Sequence, residues 1–383
     1  MKPKIKVAVI GRGAMGMPLI ERLEKEGHHV ALSCTSKRIW SCNDMGLGDS
    51  GAVHRSLNSE ADIAANFDPD PNMKGVEVMF LAIPSGEHET PLINYCLSKG
   101  IYPILFCKSD LATNYARRRS QRHLIGANAT VGGRIMALPW LRMQYLLRKQ
   151  YVLYAYLNAS MNFFMDEVAV SGSLEGAFKK AKALHLAEPG SDDYVAFVNT
   201  ELGGDYPKKI SIAMNDAMLG DGPYMSPDQI HYVPLDADDI ERYTLPTHRT
   251  RYLIRIDNTG AASEFELDAP GSLYAQLGDF TVYGGFCDVS RDNSLANWMK
   301  PGSMNGIQIR FKRESGYEGQ MELAGLGAGD ATVGAAMNDF YEYLMARNGR
   351  LVENLWPAWP EHDRPVSDLE RTKELLGALA GSP

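Results

Sequence analysis

The chain has 383 residues, 45% of them hydrophobic and 22% charged, a globular composition with length for two domains, each with its own core. A formal net charge of -8 argues against nucleic acid as a main partner, because phosphate binding needs a basic field. No apolar run approaches the ~20 residues of a membrane span, so no membrane partner is expected.

Met1-Lys2-Pro3-Lys4 leads into the apolar run Ile5–Ile10. That run is too short for a signal core and is followed by glycines rather than a cleavage site, so a cytoplasmic location is expected. Its continuous β-rich character predicts a strand buried on both faces. Met15, Leu19, Ile20 and Leu23 then recur at helical spacing up to Glu26. His29–Cys34 predicts a second strand, Val76–Ile83 a third, Pro91–Ser98 a helix and Tyr102–Cys107 another strand. This βα alternation implies an α/β fold of Rossmann type, with a doubly wound parallel sheet. Arg117, Arg118, Arg119 and Arg122 form a dense basic cluster, expected as a solvated helix face.

Past about residue 127 the rhythm changes to glycine-, methionine- and aromatic-rich segments. Val152–Leu157 and Tyr252–Ile256 predict strands, and Leu174–His185 an amphipathic helix. Residues 220–240 read as a loop-rich connection, Ala331–Met345 as a helix, and Trp356–Pro360 as an extended break before a last short helix. The boundaries expected are a dinucleotide-binding domain over 1–127 and a second, α+β domain over 128–324. The segment from about 325 to 383 is expected to pack back on the first domain. The five cysteines are scattered without a CxxC pair, and the nine histidines show no ligand spacing. Reduced thiols and no metal site are expected.

Gly11-Arg12-Gly13-Ala14-Met15-Gly16 follows the first strand and opens the first helix. GxGxxG alone is weak, but this position is the one a dinucleotide site requires. The first glycine permits the tight turn, the second lets backbone approach a pyrophosphate, and the third allows close helix–strand packing. Gly11, Gly13, Ala14, Met15 and Gly16 are therefore the candidate cofactor contacts, with the phosphate charge at a helix N-terminus. The second strand ends in Thr35, Ser36, Lys37 and Arg38, without the acid that holds an NAD ribose. Two hydroxyls and two cations suit a 2′-phosphate, which favours NADP(H) over NAD(H); the cations also fit a plain solvated strand end.

Lys108 stands at the carboxyl end of a parallel strand, where α/β sheets place ligands and chemistry. Asp205 and Lys209 are four apart, and share a face if their segment is helical. Reduction of a carbonyl needs a proton donor near the oxygen, which such a lysine can supply. A surface ion pair is the commoner meaning of that spacing, and the residues alone leave the choice open.

The order of these motifs resembles homoserine dehydrogenase over nearly the whole chain. Ala129-Thr130-Val131-Gly132-Gly133 is similar to that family's Ala-Thr-Val-Gly-Gly segment. Leu157-Asn158-Ala159-Ser160-Met161-Asn162, Glu188-Pro189, Asp292–Ala296 and Gly325-Leu326-Gly327-Ala328-Gly329 with Thr332 and Asp339 resemble further segments in the same order. The resemblance implies that Lys209 is the proton donor and acceptor, that Asp205 orients the substrate, and that Lys108 assists at the reacting centre. It implies that Glu188, with Asp193 nearby, receives the substrate ammonium, and that Gly329 lies at the cofactor. The second domain would bind substrate and form a homodimer. Hydride transfer between nicotinamide and aspartate 4-semialdehyde or homoserine is the activity implied. A same-fold dehydrogenase of another hydroxy or oxo acid and a non-catalytic dinucleotide sensor are the rival readings. Asn128 stands where the family often has a glutamate for a monovalent cation, so that cation is not carried over. Cys107, Ala159, Ser160, Gly190 and Ser191 also depart from the pattern, and the Glu188–Lys209 segment is about six residues longer.

Overall fold

The computed structural model describes residues 5–35, 39–43, 46–49, 57–147, 151–187, 191–217, 223–244, 250–260, 267–289, 293–299, 302–312 and 318–347. Of the sequence-derived candidates, Ser36, Lys37, Arg38 and Glu188 lie outside them, as does the segment from Trp356 onward.

The first domain runs β1 (Lys6–Ile10), α1 (Gly16–Lys25), β2 (His29–Cys34), β3 (Ile39–Asn43), β4 (Gly46–Asp49), α2 (Glu60–Phe67), β5 (Val76–Leu81), α3 (Glu89–Ser98), β6 (Tyr102–Leu105), α4 (Ser109–Thr113) and α5 (Tyr115–Arg118). Its sheet has the order β4-β3-β2-β1-β5-β6. β2, β1, β5 and β6 are parallel, and their apolar runs are buried on both faces. β3 and β4 add an antiparallel edge. Only residues 35–38 separate β2 from β3, too few for the crossover a parallel pair requires. The sheet is therefore parallel in its core and antiparallel at that edge.

The chain continues through α6 (Ala137–Leu147) into the second domain: β7 (Tyr151–Tyr156), α7 (Ala159–Ser171), α8 (Leu174–Ala183), α9 (Tyr194–Thr200), α10 (Tyr206–Ala217), β8 (His231–Tyr232), α11 (Ala237–Thr244), β9 (Thr250–Asp257), β10 (Leu273–Leu277), β11 (Phe280–Asp288), α12 (Asn293–Trp298), β12 (Met304–Lys312) and β13 (Glu318–Leu326). The second sheet has the order β13-β12-β7-β9-β11-β10-β8 and is antiparallel throughout. Its strands alternate as a two-residue period demands. Leu153, Ile254, Val282, Ile307 and Ile309 join one core with Phe164, Phe178 and Phe197 of the helical layer. On the other face Tyr156 meets Trp298 of α12 edge-on, with ring centroids 4.7 Å apart.

The last described helix, α13 (Asp330–Arg347), returns to the first sheet, where Val333, Met337 and Phe340 pack with Val7, Val9 and Phe80. Two glycine-rich segments explain how it gets there. A Cβ on Gly133 would stand 2.9 Å from the Gly327 carbonyl oxygen, and one on Gly325 would meet Ile135 at 2.8 Å. The 129–133 and 325–329 segments thus touch backbone to backbone, which only glycine allows.

The basic cluster divides: Arg117 and Arg119 are exposed as expected, but Arg118 and Arg122 are not on a solvated face. Arg118 and Arg122 are 1% and 4% exposed. Arg118 Nε donates to Asp110 Oδ2 at 2.7 Å, and Arg122 Nε to Asp216 Oδ1 at 2.7 Å. Asp216, on α10, also receives Arg142 and the Tyr115 hydroxyl. The burial is tolerable because each guanidinium meets a carboxylate that would otherwise be an uncompensated charge. The Arg118–Asp110 pair lies within the first domain, whereas the bonds of Arg122 and Tyr115 to Asp216 tie α10 of the second domain to the first.

Candidate active site

The glycine turn lies where the strand order reverses: β2 is added on one side of β1 and β5 on the other. Open α/β sheets bind ligands at such a switch point, beyond the carboxyl ends of the strands. Each glycine has its own reason. A Cβ on Gly11, whose φ is +103°, would be 2.1 Å from the Ala82 carbonyl oxygen, and one on Gly16 would be 1.9 Å from the Gly11 carbonyl oxygen. Those two are required by the turn itself. A Cβ on Gly13 would meet nothing within 4 Å among the described residues, so its absence serves no packing among them. Ala14 is exposed beside it, and Met15, the N-cap of α1, makes no side-chain capping bond. No acid lies in the first turn of that helix. The residues present fit an anion such as a pyrophosphate, which backbone N–H groups and the helix dipole would hold. Thr35 closes β2 at the same end of the sheet. Gly329, with φ +60° and nothing among the described residues within 4 Å of a Cβ position, immediately precedes α13, whose first turn carries Asp330.

Lys108 follows β6, and two side chains from the neighbouring connection fix its backbone. Its N–H donates to Ser85 Oγ at 2.9 Å. The buried Glu89 carboxylate accepts from the N–H groups of Gly86, Ser109 and Asp110 at 2.8, 3.1 and 2.9 Å. One carboxylate thus stitches the loop after β5 to the loop after β6. The adjoining Cys107 thiol is fully buried, and burial followed by the Glu89 charge pushes it well above its ordinary value; it is a poor nucleophile.

Asp205 and Lys209 arise from one helical run. α9 passes into a single π-turn over Glu201–Asp205 and then into α10. Pro207 has no N–H to give to the preceding turn, and the wider π-turn absorbs that missing bond. The outcome is a compact charge cluster between the domains. Lys209 Nζ lies 2.5 Å from Asp205 Oδ2, and Lys108 Nζ lies 3.0 Å from Asp205 Oδ1. The side chains of Lys108, Lys209 and Asp205 are 16%, 13% and 10% exposed, so the cluster is screened but reachable. Lys209 also donates to the Leu157 carbonyl oxygen at 2.7 Å, which leaves one of its three N–H bonds for a ligand oxygen. Burial acts to raise the Asp205 carboxyl, but the ammonium groups of Lys108 and Lys209 outweigh it and hold the acid well below the usual carboxylate range.

Asn158 and Glu201 belong to the same cluster, and sequence reasoning gave them no chemical role. Asn158 Nδ2 donates to Glu201 Oε2 at 2.7 Å and to Asp205 Oδ2 at 3.1 Å. Its Oδ1 caps α7 by accepting from the Met161 N–H at 2.9 Å. Glu201 is 3% exposed. The available signal was the polar Asn158 at the end of a buried strand. Asp193 is exposed and caps α9, with Oδ1 accepting from the Ala196 N–H at 2.7 Å; no contact joins it to the lysine cluster among the described residues. Asn128 is 4% exposed, and its N–H and Nδ2 donate to the two oxygens of Asp339 at 2.9 and 2.7 Å. Burial, reinforced by the Glu342 charge, pushes the Asp339 carboxyl up to about 8. Among the described residues no group of three His, Cys, Asp or Glu side chains could hold a metal ion.

No protein-family model matches the chain, and no curated protein matches it significantly. Solved structures do. The homoserine dehydrogenase of Thermoplasma acidophilum superposes with a TM-score of 0.64 at 16% identity, over 89% of this chain and 99% of that one. That of Thiobacillus denitrificans gives 0.61 at 17% identity, over 95% of this chain and 79% of that one. A hyperthermophilic archaeal homoserine dehydrogenase, solved with NADPH, gives 0.60 at 15% identity, over 90% and 98%. Identities this low speak to architecture, and the architecture of this chain is the two-domain fold of the homoserine dehydrogenases.

Proposed function

We propose that this protein is an NADP(H)-dependent dehydrogenase of the homoserine dehydrogenase type, acting between aspartate 4-semialdehyde and homoserine. The observation that carries the proposal is two lysines sharing one buried carboxylate beyond a parallel strand, on the same side of the sheet as a glycine turn with room for a phosphate. The likeness to a homoserine dehydrogenase solved with NADPH supports it.

A bound nicotinamide supplies a hydride to the aldehyde carbon when the reaction runs toward the alcohol. As that carbon gains the hydride, negative charge develops on the carbonyl oxygen, and Lys209 Nζ delivers a proton to it. The lysine is left as a neutral amine and recovers its proton from solvent. Lys108 adds a second positive charge beside the developing oxyanion. Asp205 holds both ammonium groups in place, and Asn158 fixes Asp205 in turn. In the reverse direction Lys209, as the amine, accepts the hydroxyl proton. Glu188 and Asp193 are assigned to the substrate ammonium, Gly11, Gly13, Ala14, Met15, Gly16 and Gly329 to the dinucleotide phosphates, and Thr35, Ser36, Lys37 and Arg38 to the adenosine end. The working unit is a cytoplasmic homodimer formed through the second domain.

The test follows loss of NADPH absorbance with aspartate 4-semialdehyde, then with a panel of other carbonyl acids. Turnover with the semialdehyde is expected. Turnover confined to another acid would move the substrate but keep the reaction class. NADPH binding without oxidation by any of them would leave a dinucleotide sensor and sink the enzyme reading.

A further inference from the structure

Arg12, the second residue of the glycine turn, has a fixed place that the turn itself does not require. Its Nη1 donates to Ser33 Oγ at 2.6 Å, and its guanidinium carbon lies 4.5 Å from the centroid of the Trp40 ring. Ser33 is fully buried on β2, and Trp40 faces it across the β2–β3 pair. The side chain therefore bridges from the phosphate-facing turn to the end of the strand where a dinucleotide's adenosine ribose is recognised.

Two features of this arrangement are chemical rather than architectural. A guanidinium carries five N–H donors in a rigid fork, and Ser33 takes one of them. Among the described side chains Arg12 meets no carboxylate, although Arg118 and Arg122 of this chain each do. Arg12 and Trp40 are both partly exposed, so the remaining donors stay open to a ligand. Stacking on an indole and bonding to a buried hydroxyl also remove most of the rotamer freedom that binding would otherwise cost.

We infer that Arg12 is a further residue that selects a 2′-phosphorylated dinucleotide, its fork engaging the 2′-phosphate while Ser33 and Trp40 hold it ready. The inference rests on the dinucleotide reading given above and names a residue to which that reading gave no role. An arginine matches a phosphate with two parallel N–H bonds, which a lysine cannot reproduce. A plain 2′-hydroxyl at the same place would leave the guanidinium without its anion.

The experiment measures binding rather than turnover, using 2′,5′-ADP and 5′-AMP as probes in calorimetry with the whole chain. The unmodified protein is expected to bind 2′,5′-ADP about 10- to 100-fold more tightly, as charge-assisted bonds to one phosphate imply. Arg12→Ala should remove most of that ratio while leaving 5′-AMP binding nearly unchanged, with a lower thermal midpoint because the buried Ser33 hydroxyl loses its donor. Arg12→Lys should restore only part of it. Equal affinity for the two probes in the unmodified protein overturns the inference without any variant. So does an Arg12→Ala protein that keeps the full ratio. Binding of neither probe would overturn both this inference and the dinucleotide reading. A 2′,5′-ADP preference lost in Arg12→Ala, without turnover of any aldehyde, would sustain the inference and sink the enzyme reading alone.

Discussion

Replacing Gly13 by alanine separates what the glycine turn does for the fold from what it does for a ligand. At Gly13 the added methyl meets no heavy atom of the described residues within 4 Å, and the backbone is outside the left-handed region. The folded chain should accept it, with a gain of about 0.4–1 kcal/mol from the lower entropy of the unfolded chain. A phosphate drawn to the backbone N–H groups would be displaced by the same methyl. Loss of one charge-assisted hydrogen bond, about 1.5–3 kcal/mol, corresponds to roughly 10- to 150-fold weaker NADPH binding. Calorimetry with NADPH gives the affinity, and thermal denaturation gives the stability. Gly11→Ala and Gly16→Ala are the contrast: their methyl groups would stand 2.1 and 1.9 Å from carbonyl oxygens, so both variants should lose the turn and much of the protein's stability. A Gly13→Ala protein that binds NADPH as tightly as its parent would refute the assignment. A Gly13→Ala protein as unstable as Gly11→Ala would refute the geometric reasoning behind it.

Three further outcomes follow. Lys209→Met should lower kcat for semialdehyde reduction by about 10²–10⁴-fold with NADPH affinity unchanged; near-normal turnover would show that another group supplies the proton. Asp216→Asn leaves Arg122 and Arg142 buried beside a neutral amide, so chemical denaturation should report a loss of about 3–5 kcal/mol, and a loss under about 1 kcal/mol would contradict the interdomain role given to those pairs. Asp339, raised to about 8 in the fold from an unfolded value of about 3.9, keeps a proton that the unfolded chain has released across that window. Stability should therefore fall as pH rises from about 4 to about 8, and Asp339→Asn should flatten that slope in urea titrations at several pH values; an unchanged slope would remove Asp339 as its source.

The parallel core and the glycine turn were legible because each is a local pattern. β1 and β2 are short apolar runs, and Gly11, Gly13 and Gly16 sit between a strand and a helix. The hairpin of β3 and β4 carries no such run, since Trp40-Ser41-Cys42-Asn43 mixes polar and apolar residues and its edge position asks for no continuous apolar stretch. The charges were hardest to place. Arg118 and Arg122 read as solvated because burial of a guanidinium depends on a partner, and Asp216 lies 94 residues from Arg122 in the chain. The same long reach hides Ser85 and Glu89 behind Lys108, and Asn158 and Glu201 behind Asp205. Lys108, Asp205 and Lys209 were named from strand ends, helical spacing and resemblance. Their meeting on one carboxylate is a product of the tertiary fold alone.

Hydride transfer from a nicotinamide to a carbonyl carbon, with Lys209 protonating the oxygen, is the step on which the proposed function stands. NADPH labelled with deuterium at the transferring position of nicotinamide C4, incubated with aspartate 4-semialdehyde and the protein, tests it most directly. Mass spectrometry and NMR of the product should find one deuterium on the carbon bearing the new hydroxyl of homoserine, and almost none in the Lys209→Met reaction over the same time. Labelled NADPH that is bound but yields no deuterated alcohol from the semialdehyde or any other carbonyl acid would contradict the proposed function.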